Sequence, residues 1–216
     1  MRIRVTYQKD RALLYTSTLD VQTLWERSVR RAGLKLMYSQ GFHPQPRIQI
    51  ANPLPLGIVG ERELIDTWLV DGEKKEKPDE IVRRLNGALP EGMRVSQVEA
   101  VEETGPSLPK QIDASEYRVD LLNSVETADK LQEMSEKMLA KDALPRVRNR
   151  KAYDLRPLIQ DLTVQENGAG NADIFLKMPS NSSQTGRPEE VMAELGIPLE
   201  NFRVTRTKLI FAEKYA

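Results

Sequence analysis

The sequence predicts an α+β fold made of two tandem ferredoxin-like units with antiparallel sheets. Three observations predict it. Polar and apolar residues alternate from Arg2 to Gln8, the period of a strand with one buried face. Each half of the chain then reads as strand, helix, strands, helix, strand, the βαββαβ order of a ferredoxin-like unit. Between the halves, residues 102–113 carry Gly105, Pro106 and Pro109 without periodicity, as a linker does. The expected units are therefore 1–101 and 114–216.

In the first unit, Ile3, Val5 and Tyr7 share one face of the opening strand, and Arg2, Arg4, Thr6 and Gln8 share the other. Lys9-Asp10-Arg11 is a polar turn. Ser17 or Thr18 caps a helix, and Asp20 sits in its first turn, where the dipole favours a carboxylate. Val21, Leu24, Trp25, Ser28 and Ala32 form its inner stripe, and Gly33 stops it. Lys35–Tyr38, Arg47–Ala51 and Glu63–Val70 read as strands. Asp71–Lys77 is a charged turn. Pro78 opens a second helix at its favoured position, with Ile81, Val82, Leu85 and Leu89 facing inward. Met93–Val101 closes the unit as a strand.

In the second unit, Glu116–Leu122 is a strand and Ser124 caps a helix. Ala128, Leu131, Met134 and Met138 form its stripe, and these methionines, with Met192, read as core filler. Arg146–Ala152 and Ile159–Gln165 are strands. Glu166–Asn171 is a turn holding Gly168 and Gly170, followed by a strand from Asp173 to Met178. Pro188 opens a helix that Gly196 stops, and Phe202–Phe211 is the last strand.

A chain of 216 residues is long enough to bury a core. Apolar residues make 39% and charged residues 30%, as in a soluble globular protein. The net charge is zero, so nothing global marks a nucleic-acid or membrane partner. The charge is uneven, however: residues 1–50 hold nine Lys or Arg against three Asp or Glu. There are no cysteines, which excludes disulfides, thiolate metal sites and iron–sulfur clusters. The N-terminus lacks the apolar core of a signal peptide, and no apolar run approaches a membrane span. The expected location is cytoplasmic, with no membrane partner.

One stretch organises the chain: Tyr38 to Gly57, YSQGFHPQPRIQIANPLPLG. It contains the only histidine and four of the thirteen prolines. Each Pro fixes its own φ and pushes the preceding residue towards extended geometry. The segment reads as a stiff loop, a strand and a second stiff loop. Its motif residues are Tyr38, Ser39, Gly41, Phe42, His43, Pro44, Pro46 and Arg47, then Pro53, Leu54, Pro55, Leu56 and Gly57.

YSQGFHPQPR followed by PLPLG resembles the radical-SAM-linked protein family, a bacterial domain of unknown function often fused to or beside a radical SAM enzyme. The resemblance covers about Tyr15 to Leu69. Leu19-Asp20, Glu26-Arg27 and Arg30-Arg31-Ala32-Gly33-Leu34 are similar to the family's helix. Two places depart from its pattern. A His usually precedes the Leu-Asp pair, where this chain has Thr18, and a Ser usually follows PLPLG, where it has Val59-Gly60-Glu61. The resemblance implies a radical SAM protein as partner. Without the three cysteines that hold that cluster, this chain does not perform the radical reaction itself.

His43 is the only catalytic candidate. It reads first as a loop His that orders its turn, and second as a general base or phosphate contact. No metal site and no cofactor are expected: His43 has no second His or Cys beside it, and no GxGxxG or GxxxxGK[ST] is present. A Ser nucleophile lacks a GxSxG elbow. The basic residues say more. Arg2 and Arg4 share a strand face, and Arg47 stands opposite Ile48. Arg146, Arg148 and Arg150 recur at period two, and Arg27, Arg30 and Arg31 occupy the exposed arc of the first helix. Arg203, Arg206 and Lys208 lie on the last strand. An open sheet face rich in Arg, Thr and Gln suits RNA, because the planar guanidinium grips phosphate bidentately. Tyr38, Phe42 and Tyr153 are the available base stackers.

The leading expectation is a non-catalytic module that binds RNA (a tRNA or rRNA) or acts as an adaptor, assisting a radical SAM or other RNA-modifying enzyme. Two alternatives stand beside it. One is a metal-independent endoribonuclease resembling CRISPR repeat-processing enzymes, which share tandem ferredoxin-like architecture. The other is a protein-interaction subunit without nucleic acid. The basic surface expected under the RNA reading joins Arg2, Arg4 and Arg47, with His43 at its rim.

Overall fold

The computed structural model describes residues 1–70, 77–122, 126–167 and 172–215. It is a mixed α+β protein with mainly antiparallel strand pairing and five helices among the described residues. The chain divides into two units, Met1–Ile112 and Asp113–Ala216. Among the described residues, no helix is long and apolar enough to cross a membrane.

The first unit opens with β1 (Arg2–Lys9), α1 (Thr18–Arg31), β2 (Ile48–Ile50) and β3 (Val59–Trp68). It continues through α2 (Pro78–Asn86), β4 (Met93–Val101) and the short α3 (Leu108–Gln111). Strand β1 lies between β4 and β3, and β2 pairs with β3. The Ser17 side chain caps α1 by accepting from the Asp20 amide. Gly33 ends the helix in the left-handed region, at φ 71°. Ile3, Val5 and Tyr7 form one core with Val21, Trp25 and Val29 of α1 and Ile81 and Leu85 of α2. The Tyr7 and Trp25 rings meet edge to face, 4.9 Å apart. Such a pair contributes about 0.5–1.5 kcal/mol beyond its burial.

The second unit consists of β5 (Ile112–Leu121), α4 (Ala128–Leu139), β6 (Pro145–Arg148), β7 (Lys151–Asp154), β8 (Asp161–Glu166), β9 (Ala172–Pro179), α5 (Pro188–Glu194) and β10 (Phe202–Phe211). Its main strands run in the order β10-β5-β9-β8, while β6 and β7 form a separate two-stranded sheet. Leu131 and Met138 of α4 and Val191 and Met192 of α5 are buried, as are Val119, Ile174 and Leu176 of the sheet. Met134 is half-buried.

Four expectations are corrected. Lys35–Tyr38 is not a strand; it makes only single bridges, Leu36 to Leu69 and Tyr38 to Pro46. Pro44 and Pro46 lack the amide hydrogens that a longer ladder needs. Strand β2 accordingly begins at Ile48, after Arg47. The segment 102–112 is not a free linker. It belongs to the first unit, it carries α3, and Leu108 is fully buried. Arg146–Ala152 is a hairpin rather than one strand. Asn149 and Arg150 turn the chain with φ 49° and 65°, the two positive values that a tight two-residue hairpin turn requires. Finally, Thr127 caps α4, its side chain accepting from the Lys130 amide. The expected cap Ser124, most of the 71–77 turn and Gly168 and Gly170 lie outside the described residues.

Candidate functional site

The expected basic surface does not exist at Arg2 and Arg4. Both are buried, with 3% and 8% exposure. The register of the sheet is the reason. Arg4 stands opposite Asp66 of β3, and Asp66 is in turn opposite Gln49 of β2. The Asp66 carboxylate has no exposure. It accepts from Arg2 Nη2 at 2.6 Å and from Arg4 Nε at 2.9 Å. Further guanidinium hydrogens turn to residues 102–111. Arg2 donates to the Glu102 and Pro106 carbonyls, and Arg4 donates to Gln111 Oε1 at 3.0 Å. Gln111 then donates to the Pro106 carbonyl at 2.8 Å. Above this cluster the Trp68 ring takes two cations, Arg2 at 4.9 Å and Arg47 at 4.4 Å from its centroid. What reads as an open basic face is therefore a buried network in which one carboxylate is shared by two guanidiniums. The signal for it is Asp66 itself, an acid in the apolar run Leu64-Ile65-Asp66-Thr67-Trp68-Leu69, where only a paired carboxylate is tolerable.

The Pro-framed loop is held by its own backbone. The Ser39 amide donates to the Gln45 carbonyl at 2.8 Å, and the Gln45 amide returns to Ser39 Oγ at 2.9 Å. The Arg47 amide donates to Met37. Gly41 takes φ 147°, which suits a residue without a Cβ. At the tip Phe42 is wholly exposed, and His43 and Pro44 are exposed beside it. Arg30 of α1 donates from Nε and Nη2 to the Tyr38 hydroxyl at the base of the loop. It also pairs with Glu26 at 2.6 Å. Arg27 and Arg31 are exposed on the same helix. From Arg27 to Gly60 the chain contains five Lys or Arg and no Asp or Glu. The structure thus leaves Arg27, Arg30 and Arg31 exposed on α1, with Arg30 bonded to the base of a loop that has an exposed aromatic tip, and removes Arg2 and Arg4 from that set.

The second piece, Pro53 to Gly57, lies at the other end of α1. The Gly57 amide donates to the Leu14 carbonyl at 3.0 Å, and Gly57 adopts φ 83°. Leu56 is exposed, as are Tyr15 and Leu19. Pro53 and Leu54 close a cavity of about 10 Å³ with Tyr7, Lys9, Thr16, Thr18, Val21 and Ile50. Thr18, which stands where the resembling family has His, lines this space.

In the second unit Arg146 and Arg148 are on β6, and Arg150 is in the turn, so the three do not line one strand. Arg146 pairs with Glu194 of α5, which also accepts from Lys141 at 2.8 Å. These two donors hold the Glu194 carboxyl below the usual carboxylate value. Burial, with a hydrogen bond to Glu190 of α5, pushes the Tyr153 hydroxyl up to about 12. Arg148 and Arg150 are exposed; Arg203 and Lys208 are exposed and Arg206 is buried. Among the described residues, no group of three or more His, Cys, Asp or Glu could hold a metal ion.

No curated protein matches the chain. Among solved structures, a proposed glycine cleavage system transcriptional repressor aligns over 98% of this chain and 96% of its own, at 9% identity and a TM-score of 0.22. A likeness at that score carries no argument about fold or function. The family model described as an uncharacterized protein conserved in bacteria matches residues 2–188. With the motif loop, all three helices of the first unit and most of the second unit inside that span, the chain belongs to this bacterial family, DUF2344.

Proposed function

We propose that the protein is a non-catalytic RNA-binding module that assists an RNA-modifying enzyme. The observation that carries this reading is Phe42, fully exposed at the tip of a loop whose base, Tyr38, is bonded to Arg30 of α1, the helix that also exposes Arg27 and Arg31. An exposed ring offers a base a stacking platform, and nearby guanidiniums grip the backbone. The preformed loop loses little entropy on binding. Each unit reads as ferredoxin-like: β4-β1-β3-β2 in the first and β10-β5-β9-β8 in the second follow that fold's strand order. Segment 102–111 meets the polar face of the first unit, so RNA contacts the loop and α1 instead of that face. The motif's resemblance points to a radical SAM protein as the enzyme served, in the cytoplasm.

Exposed Tyr15, Leu19 and Leu56 favour a second reading, in which the N-terminal end of α1 docks that protein partner directly. An endoribonuclease would rest on His43, so the test includes a cleavage readout.

The test is fluorescence anisotropy with labelled tRNA and rRNA fragments across a salt series. Phe42→Ala is expected to weaken binding between about fivefold and a hundredfold, the range of one stacked base. Arg27→Ala with Arg31→Ala is expected to lower the salt slope by about two units. His43→Ala is expected to change affinity by less than about tenfold, with the RNA intact throughout. Wild-type protein that ignores RNA at low salt, or a Phe42→Ala variant that binds normally, overturns the proposal. Cleavage lost with His43 turns it into the nuclease reading.

A further inference from the structure

We infer that the second unit carries a binding cleft for a nucleoside phosphate, independent of the loop in the first unit. The cleft has a volume of about 620 Å³, within the range of small-molecule sites. One wall is the β6–β7 hairpin, which presents Arg148, Asn149, Lys151 and Tyr153. The opposite wall is Ser183, Gln184 and Thr185, and Pro157 and Leu158 complete the lining.

The cations are placed at a cost. Arg148 and Lys151 stand directly opposite each other in the hairpin register, and like charges in that relation destabilise a strand pair. Arg150, between them in the turn, adds a third positive charge in a left-handed conformation that a non-Gly residue adopts reluctantly. A bound phosphate relieves this repulsion. Asp154 is the only acid in the lining. Its Oδ1 already accepts from the Leu144 amide at 2.7 Å and the Arg156 amide at 3.0 Å. It fixes the base of the hairpin more than it neutralises the cations.

Both walls are built to hold their positions. Arg146 to Glu194 and Tyr153 to Glu190 tie the hairpin to α5. Across the cleft, Asn181 Oδ1 accepts from the Ser183 amide at 3.0 Å and the Gln184 amide at 2.9 Å. Ser180 and Thr185 close that loop with a bridge. The lining therefore divides by chemistry. Arg148 and Lys151 take a phosphate. The Tyr153 ring with Pro157 and Leu158 takes a planar apolar face. Gln184, with Ser183 and Thr185, takes the hydrogen-bonding edge of a base. A free nucleotide and the terminal nucleotide of a strand share this chemistry.

The experiment is ligand-observed NMR and calorimetry on the full chain with AMP, GMP, CMP and UMP. Inorganic phosphate and a 5′-phosphorylated trinucleotide are parallel arms. At least one nucleotide is expected to bind, and Arg148→Ala with Lys151→Ala is expected to weaken it at least about tenfold, as loss of about 1.4 kcal/mol would. Gln184→Ala, on the opposite wall, is expected to change the order of preference among bases, and a thermal melt checks that each variant folds. Phe42→Ala is expected to leave nucleotide binding intact, which separates this site from RNA capture by the loop. The trinucleotide arm tells a strand end from a free nucleotide as the preferred source. The inference is overturned if no nucleotide binds up to about 10 mM. It is also overturned if phosphate alone binds equally well, or if variants on both walls bind as wild type.

Discussion

Two guanidiniums close on the Asp66 carboxylate, which has no exposed surface, and each also donates to residues 102–111. The Coulombic gain of such a buried cluster is offset by what it cost to dehydrate three charges. Removing Asp66 leaves two buried guanidinium charges without compensation. Asp66→Asn is therefore expected to destabilise the protein by about 3–5 kcal/mol in denaturant melts. Replacing the whole cluster, Arg2→Met, Arg4→Met and Asp66→Leu together, is expected to come out near neutral or stabilising, because the charge to be dehydrated is gone. A single Asp66→Asn change within about 0.5 kcal/mol of wild type is the behaviour of an ordinary surface site and contradicts the burial. At this scale the sequence misleads in a definite way. Alternation places Arg2 and Arg4 opposite Ile3 and Val5 correctly. It does not say whether the opposite face meets water, because the acid that pairs them is more than sixty residues away.

Elements whose start is signalled within one turn are legible. Ser17, Pro78 and Pro188 each mark a helix where the structure has one, since a cap or an N1 proline acts locally. The β6–β7 hairpin is not legible from three arginines at period two; the turn depends on Asn149 accepting a positive φ. What holds the hairpin is equally non-local: Glu194, more than forty residues on, joins Arg146 to Lys141. This pairing has a pH signature. The folded Glu194 carboxyl titrates below its ordinary value of 4.5, so folding favours the ionised form. Its contribution is fully present above the unfolded value and is lost as pH falls through the folded one. Glu194→Gln is expected to cost about 1–2 kcal/mol at neutral pH. The gap between wild type and variant is expected to narrow as pH drops below the ordinary carboxylate value. Urea melts across that range check it; a gap constant with pH contradicts an ion pair at this position.

For the whole molecule, the division into two units was legible in the repeated order of elements, and the boundary was not. Gly105, Pro106 and Pro109 carry the composition of a linker, and composition alone cannot distinguish a tether from a docked irregular segment. The structure separates the two by burial. Leu108 is fully buried, its amide donates to Gln49 Oε1 at 3.1 Å, and Pro109 sits in the first turn of α3, where a missing amide hydrogen costs nothing. Gln111 reaches Arg4 from the same turn. The segment 102–111 thus caps the polar network of the first unit, and its energetics should be those of a core. Leu108→Ala is expected to cost about 2–5 kcal/mol, the range for truncating a buried Leu. In a chain of this size that is a fall in Tm on the order of 10 °C. Substituting exposed Glu103 by Ala in the same stretch is expected to shift stability by less than about 0.5 kcal/mol. A tether gives the same small shift at both positions, so a Leu108→Ala variant that melts with wild type would return residues 102–113 to the role of a linker.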